Sequence, residues 1–213
     1  MDIDAVVFDV GNTLTDDTRY WRDWADWLGV PAHTMSALVG MVVAEGRDNA
    51  DAIRILRPGC DVGAEWRARQ AAGRGERLTE DDLYPDVRPA LGRLRAAGLW
   101  VGVAGNQNAA VGPLLRGLDL PADAIATSAE WGAAKPSPNF YARLTAWAPT
   151  PPHRTLYVGD HPAHDIAPAR AAGLRTAHLR RGPIGLTTTA PDADLTADSL
   201  SALADLLLPR PRP

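Results

Sequence analysis

Residues 157–174 read YVGDHPAHDIAPARAAGL. The first three close an apolar run that begins at Thr155 and stops at Asp160. Five residues later stands Asp165, and an alanine-rich stretch then runs to Gly173. An apolar run followed at once by a helical pattern with glycine at its end predicts a strand, a turn and a helix. A carboxylate at the end of a buried strand is costly unless it is paired or used. This one stretch therefore predicts both a parallel sheet and the edge of that sheet where chemistry is done.

The same construction recurs along the chain. DAVVFDV (4–10), LWVGVAG (99–105), AIATS (124–128), TLYVGD (155–160) and LRTAHL (174–179) read as strands. Helical patterns cover 87–97, 107–117, 137–147 and 162–172, with Gly98 and Gly173 as stop signals. Strands alternating with helices predict an α/β fold, a Rossmann-like parallel sheet with helices on both faces. Ligands of such sheets bind beyond the carboxyl ends of the strands, where Asp9, Asn106 and Asp160 all fall. Residues 16–84 break the alternation with helical patterns at 18–28, 33–46, 48–56 and 62–72. They are expected to form an inserted, all-helical cap, a lid over the site. The core is then 1–15 and 85–208, and the proline-arginine end, 209–213, a disordered tail.

Composition narrows the function. A formal net charge of −4 supplies no basic face for nucleic acid. One cysteine, Cys60, excludes an internal disulfide framework and fits a reducing compartment. No apolar run reaches a membrane span, and Met1 leads straight into a strand with no signal peptide read, so a cytoplasmic location and no membrane partner are expected. Oligomeric state is left open. Of 22 basic residues a single one, Lys135, is lysine. A chain that otherwise uses arginine keeps a compact ammonium at one place, which suggests that the place requires it.

Four segments carry the chemistry: FDVGNTL with Asp9, VGVAGNQN with Asn106, WGAAKPSPNFY with Lys135, and the opening stretch with Asp160 and Asp165. Three carboxylates gathered at one edge stay ionised together only around a cation, and an all-oxygen set suits Mg²⁺. Lys135 would balance an anion beside it, and phosphate fits a lysine next to a backbone turn. Asp9 would then attack phosphorus. These features predict Mg²⁺-assisted phosphoryl transfer from a small phosphorylated molecule through an aspartyl-phosphate.

These motifs resemble the haloacid dehalogenase-like hydrolases, in the branch with a helical cap after the first strand, over roughly residues 4–185. The resemblance implies Asp9 as nucleophile, Lys135 as the third-motif lysine, and Mg²⁺ held by Asp9, the Gly11 carbonyl, Asp160 and Asp165. It implies substrate contacts from Gly11, Asn12, Gly105, Asn106 and Lys135. Two positions depart: the family's acid–base Asp falls on Gly11, and its phosphate-binding Ser or Thr on Gly105. The expected activity is phosphatase. A fold relative that binds a phosphorylated ligand with little or no turnover is the alternative, and a dehalogenase is ranked last because Asp160 and Asp165 form an acidic metal loop.

Several residues carry a plainer reading as well. Asn106 also suits a cap for the helix at 107–117, and Asp165 an acid at a helix start. Trp21, Trp24, Trp27 and Leu28 at helical spacing suit packing among the cap helices. His161 and His164 suit solvated loop positions.

Overall fold

Strand β1 (Ala5–Phe8) is buried at all four positions. Its neighbour β4 (Thr155–Gly159) is buried throughout, and β2 (Trp100–Gly105) at all but its first residue. Continuous apolar runs of this kind belong in a sheet covered on both sides. In the computed structural model, which describes residues 2–208, six parallel strands follow the order β3-β2-β1-β4-β5-β6. The outer members are β3 (Ala124–Thr127), β5 (Arg175–Leu179) and β6 (Leu195–Ala197). The tail expected at 209–213 lies outside the described residues.

The order reverses at β1, which pairs with β2 on one side and β4 on the other. Phe8 is level with Val103 and with Val158. Asp9, Gly105 with Asn106, and Asp160 therefore leave three adjacent strands at one edge, beside the switch point where such sheets bind ligands. Val7, Ala104 and Tyr157 pack on one face against Phe140, Tyr141, Leu144 and Ala169. Those residues lie on helices Pro138–Trp147 and Ala167–Ala171.

Residues Asp17–Leu78 form a separate helical unit, and the other described residues form the core unit. The helical unit contains α1 (Thr18–Leu28), α2 (Ala32–Ala44), α3 (Asp51–Leu56) and α4 (Val62–Ala71). Gly29, with φ 72°, ends α1, and α2 leaves at 113° to it. Trp21 and Trp24 bury against Met35, Val42, Ala52 and Ile53, with Trp27 and Leu28 at the margin. No single helix among the described residues is long and apolar enough to cross a membrane.

The expected boundary at 84 is corrected to 78. Residues 79–84 belong to the core unit because the outgoing and returning chains pair there. Asp16 N–H donates to Asp82 O at 2.7 Å, Tyr84 N–H donates to Leu14 O at 3.0 Å, and Thr15 bridges Leu83. The helix expected at 162–172 is also modified: Pro162–Ile166 is a wide π-type turn, and α-geometry begins at Ala167.

Candidate active site

Asp9 is the first residue past β1, and its N–H donates to Val158 O at 2.9 Å. The chain then folds around a single carbonyl. Val10 O accepts the N–H groups of Thr13, Leu14 and Thr15 at 3.2, 2.8 and 3.0 Å. The left-handed residue of this turn is Asn12, with φ 53°, a conformation asparagine tolerates; Gly11 is not among the positive-φ residues. Gly11 bridges Thr15.

Lys135 reaches the same point from the loop before helix Pro138–Trp147. Its Nζ lies 2.6 Å from Asp9 Oδ1 and 2.6 Å from Asp165 Oδ1, with a side chain 4% exposed. Asp165 is held on its other oxygen by His161 N–H at 2.9 Å. Asp9, Asp160 and Asp165 are all buried, and each offers an oxygen within 4.8 Å of the others. Thus all four charged residues expected from sequence meet in one place. With every carboxylate ionised, three negative charges and one ammonium leave a formal −2. A divalent cation neutralises that sum, and hard carboxylate oxygens are the ligands Mg²⁺ takes. The residues present fit the ion.

The electrostatics follow from burial. Burial pushes the Asp9 carboxyl up to about 6, against the pull of the Lys135 ammonium and with the help of the Asp165 charge. Burial alone would lower the Lys135 ammonium, but the carboxylates of Asp165 and Asp9 outweigh it and hold it above its ordinary range. Lys135 is a permanent cation here.

The remaining expected residues are placed differently. Asn106 does not cap a helix, since the helix after β2 begins only at Val111. Its amide grips the Lys135 backbone from both sides: Nδ2–H donates to Lys135 O at 2.9 Å, and Lys135 N–H donates to Oδ1 at 2.7 Å. Gly105 ends β2 directly beside the nucleophile candidate. A Cβ there would stand 2.5 Å from Asp9 Oδ1 and 3.2 Å from Val10 N. The carboxylate thus leans over the ground a serine or threonine would need. His161 and His164 stack with centroids 4.1 Å apart, and burial and then its neighbour pull His161 down to about 4, so it is neutral at pH 7. The Nδ1 of His161 accepts Ala163 N–H at 3.2 Å.

Three supporting residues escaped the sequence reading. Tyr157 lies beneath Lys135, with Nζ 5.6 Å from the ring centre, and its hydroxyl donates to Ala104 O at 2.9 Å. Tyr141 Oη–H donates to His164 O, pinning the acidic turn. Arg181 ties down the turn after Asp9 by donating to Thr13 O at 3.0 Å and to Asp86 Oδ2 at 2.6 Å. Tyr157, two positions before Gly159 on an inward-facing strand register, was the one with a readable signal.

Residues 3–173 match the family described as haloacid dehalogenase-like hydrolase. The chain belongs to that family. This haloacid dehalogenase-like hydrolase is 30% identical over 220 residues to Phosphatase MT3486 of Mycobacterium tuberculosis (strain CDC 1551 / Oshkosh), covering 96% of this chain and 98% of that protein. It is 33% identical over 102 residues to the glyceraldehyde 3-phosphate phosphatase of Methanopyrus kandleri, covering 46% and 44% of the two chains. Among solved structures, the HAD-hydrolase YfnB of Bacillus subtilis, crystallised bound to magnesium, superposes with a TM-score of 0.73 at 18% identity, over 97% of this chain and 99% of that one. That likeness is one of fold.

Proposed function

We propose that this hydrolase is a Mg²⁺-dependent phosphatase of a small phosphorylated molecule. The observation that carries the reading is the Lys135 ammonium seated between Asp9 and Asp165, with Asp160 completing the acidic set. The phosphatase relative that aligns along the whole chain supports it. Asp9, Asp160 and Asp165, with the Gly11 carbonyl, would hold the ion; when bound, it supplies positive charge against the phosphoryl oxygens. An oxygen of Asp9 attacks phosphorus, the bond from phosphorus to the leaving oxygen breaks, and an aspartyl-phosphate forms on Asp9. Lys135 keeps Asp9 oriented and faces the incoming phosphoryl charge. Water then cleaves the aspartyl-phosphate and releases inorganic phosphate.

Gly11 brings no acid to the leaving oxygen. General acid–base catalysis is worth about 10²–10⁴-fold, so alkyl phosphates should lag aryl or acyl phosphates by a factor of that order. Gly11 favours a second reading, in which the site binds a phosphorylated ligand with little turnover. A panel of aryl, acyl and alkyl phosphates, assayed with Mg²⁺ and with chelator, separates the two. Metal-dependent turnover of the aryl substrates, with beryllium fluoride trapped on Asp9, supports the phosphatase. Undiminished turnover after exhaustive chelation removes the metal from the mechanism. A folded, metal-replete protein inert on the whole panel favours the binding reading.

A further inference from the structure

In the helical unit, Arg69 on α4 is a buried cation with unpartnered N–H groups. It is 2% exposed, and its guanidinium lies over Trp24 on α1 with Cζ 4.2 Å from the ring centre. Its Nε and Nη1 have no hydrogen-bond partner among the described residues. An aromatic face offsets only part of the cost of desolvating a guanidinium; an acceptor or counter-charge normally meets the rest. The acids whose fields reach Arg69 are engaged elsewhere. Glu76 accepts Trp66 Nε1–H at 2.7 Å, and Asp23 accepts Arg77 Nη2–H on both oxygens at 2.9 and 3.1 Å. A second guanidinium, that of Arg74, stacks on Trp27 at 5.6 Å and adds positive charge. Trp24 Nε1 is also buried, beside the Tyr20 hydroxyl. Burial holds the neighbouring Tyr20 hydroxyl protonated. One corner of the unit therefore holds buried guanidinium N–H donors that no acceptor meets.

We propose that the helical unit binds an oxyanion, a carboxylate or phosphate group, at Arg69, with Nε–H and Nη1–H donating to it and Trp24 forming the wall. Directed guanidinium N–H groups suit oxygen lone pairs, and charge-assisted bonds of this kind are the strong ones. The site is independent of Asp9 and of turnover in the core unit.

The test uses the full chain, freed of metal by chelator. Sodium acetate and sodium phosphate are titrated separately against sodium chloride at matched ionic strength. The thermal midpoint and the arginine Nε–H resonances are followed, the Arg69 resonance being the one missing from Arg69→Lys. The expected result is a saturable rise in midpoint together with a saturable shift of the Arg69 resonance, in one or both oxyanions and not in chloride. A response to acetate alone assigns a carboxylate; a response to phosphate assigns a phosphoryl group. Arg69→Met should weaken the apparent affinity by about tenfold or more. In chloride alone its midpoint should match or exceed the wild type, since the buried unpaired charge is gone. The proposal is overturned if neither oxyanion moves the Arg69 resonance beyond chloride, or if Arg69→Met keeps the wild-type response. Should Arg69→Met not fold, the resonance titration of the wild type decides alone.

Discussion

At the scale of the residue, Lys135 is where sequence bias and geometry meet. A chain with one lysine among 22 basic residues places its Nζ 2.6 Å from two carboxylates in a nearly closed space. A compact ammonium satisfies both oxygens; a guanidinium is wider, planar and presents its donors as a fork. Lys135→Arg should therefore lower kcat/KM for an aryl phosphate by about 10²–10³-fold, the cost of removing one preorganised electrostatic contact. Lys135→Met should also destabilise the metal-free protein by roughly 3–5 kcal/mol, since it leaves buried carboxylates facing each other. Near wild-type kinetics for the arginine variant would mean that the lysine survived by chance. Gly105 makes the opposite prediction from the one its motif position suggests. Restoring a serine there should not add a phosphate contact, because its Cβ would meet Asp9 Oδ1 at 2.5 Å. Gly105→Ser should lower kcat and cost about 1–3 kcal/mol, as overpacked sites do. A rise in kcat/KM, measured on the same substrate, would show that Asp9 moves aside without penalty.

At the scale of the element, the site depends on loops anchored to strands. Asn106 follows β2, and both of its amide atoms hold the backbone of Lys135, 29 residues further on. Asn106→Ala removes two partly buried hydrogen bonds and should cost about 1–3 kcal/mol. It should lower kcat more than it raises KM, because Lys135 loses its aim rather than its charge. A change confined to the melting midpoint would reduce Asn106 to a structural tie. The sequence made β1, β2 and β4 legible because each is a continuous apolar run that stops at a polar residue. Asp9, Lys135, Asp160 and Asp165 were legible because strand ends and turn spacing direct them to one edge. The partner of Asn106 was hidden because a side-chain bond to a distant backbone leaves no periodic trace, and capping was the local alternative. Strand β6 was missed because Leu195–Ala197 is three residues long and buried at only one of them. Helix Leu200–Leu207 was missed with it, although Ser199 caps it by accepting Ala202 N–H at 3.0 Å. The turn at 162–166 is wide, and within it Asp165 accepts His161 N–H at 2.9 Å, a contact that no sequence period announces.

At the scale of the whole molecule, the proposed metal site ties stability to the proton on Asp9. The Asp9 carboxyl, raised from 3.8 to about 6 by burial, holds a proton in the folded protein over a pH range where the unfolded chain has released it. Between about pH 4 and 6 the folded state thus binds more protons, and this group's contribution to stability falls as pH rises through that window. Lys135 is shifted the other way in charge: its raised value gives a contribution fully present below its unfolded value and lost only in strong alkali. It is therefore flat from pH 5 to 8, and the slope there sums two opposed groups: the Asp9 fall and a rise from His161, which is pulled from 6.5 to about 4 and leaves the unfolded chain binding more protons in that window. A divalent cation competes with the Asp9 proton, because ligands must be deprotonated to bind it. Saturating Mg²⁺ at 100 times its Kd should stabilise the folded chain by about 2.7 kcal/mol. For a chain of this size that corresponds to roughly 5–10 °C in thermal midpoint. The shift should be small at pH 5 and reach its full value above about pH 7, when the Asp9 proton no longer competes. Asp9→Asn should remove the falling contribution from the metal-free profile, leaving the rise due to His161, and shrink the Mg²⁺ response at every pH. Melting curves at pH 5, 6, 7 and 8, with Mg²⁺ and with chelator, provide the measurement. A Mg²⁺ shift of equal size at pH 5 and pH 8 would place the ion away from Asp9 and remove the acidic cluster from the metal site.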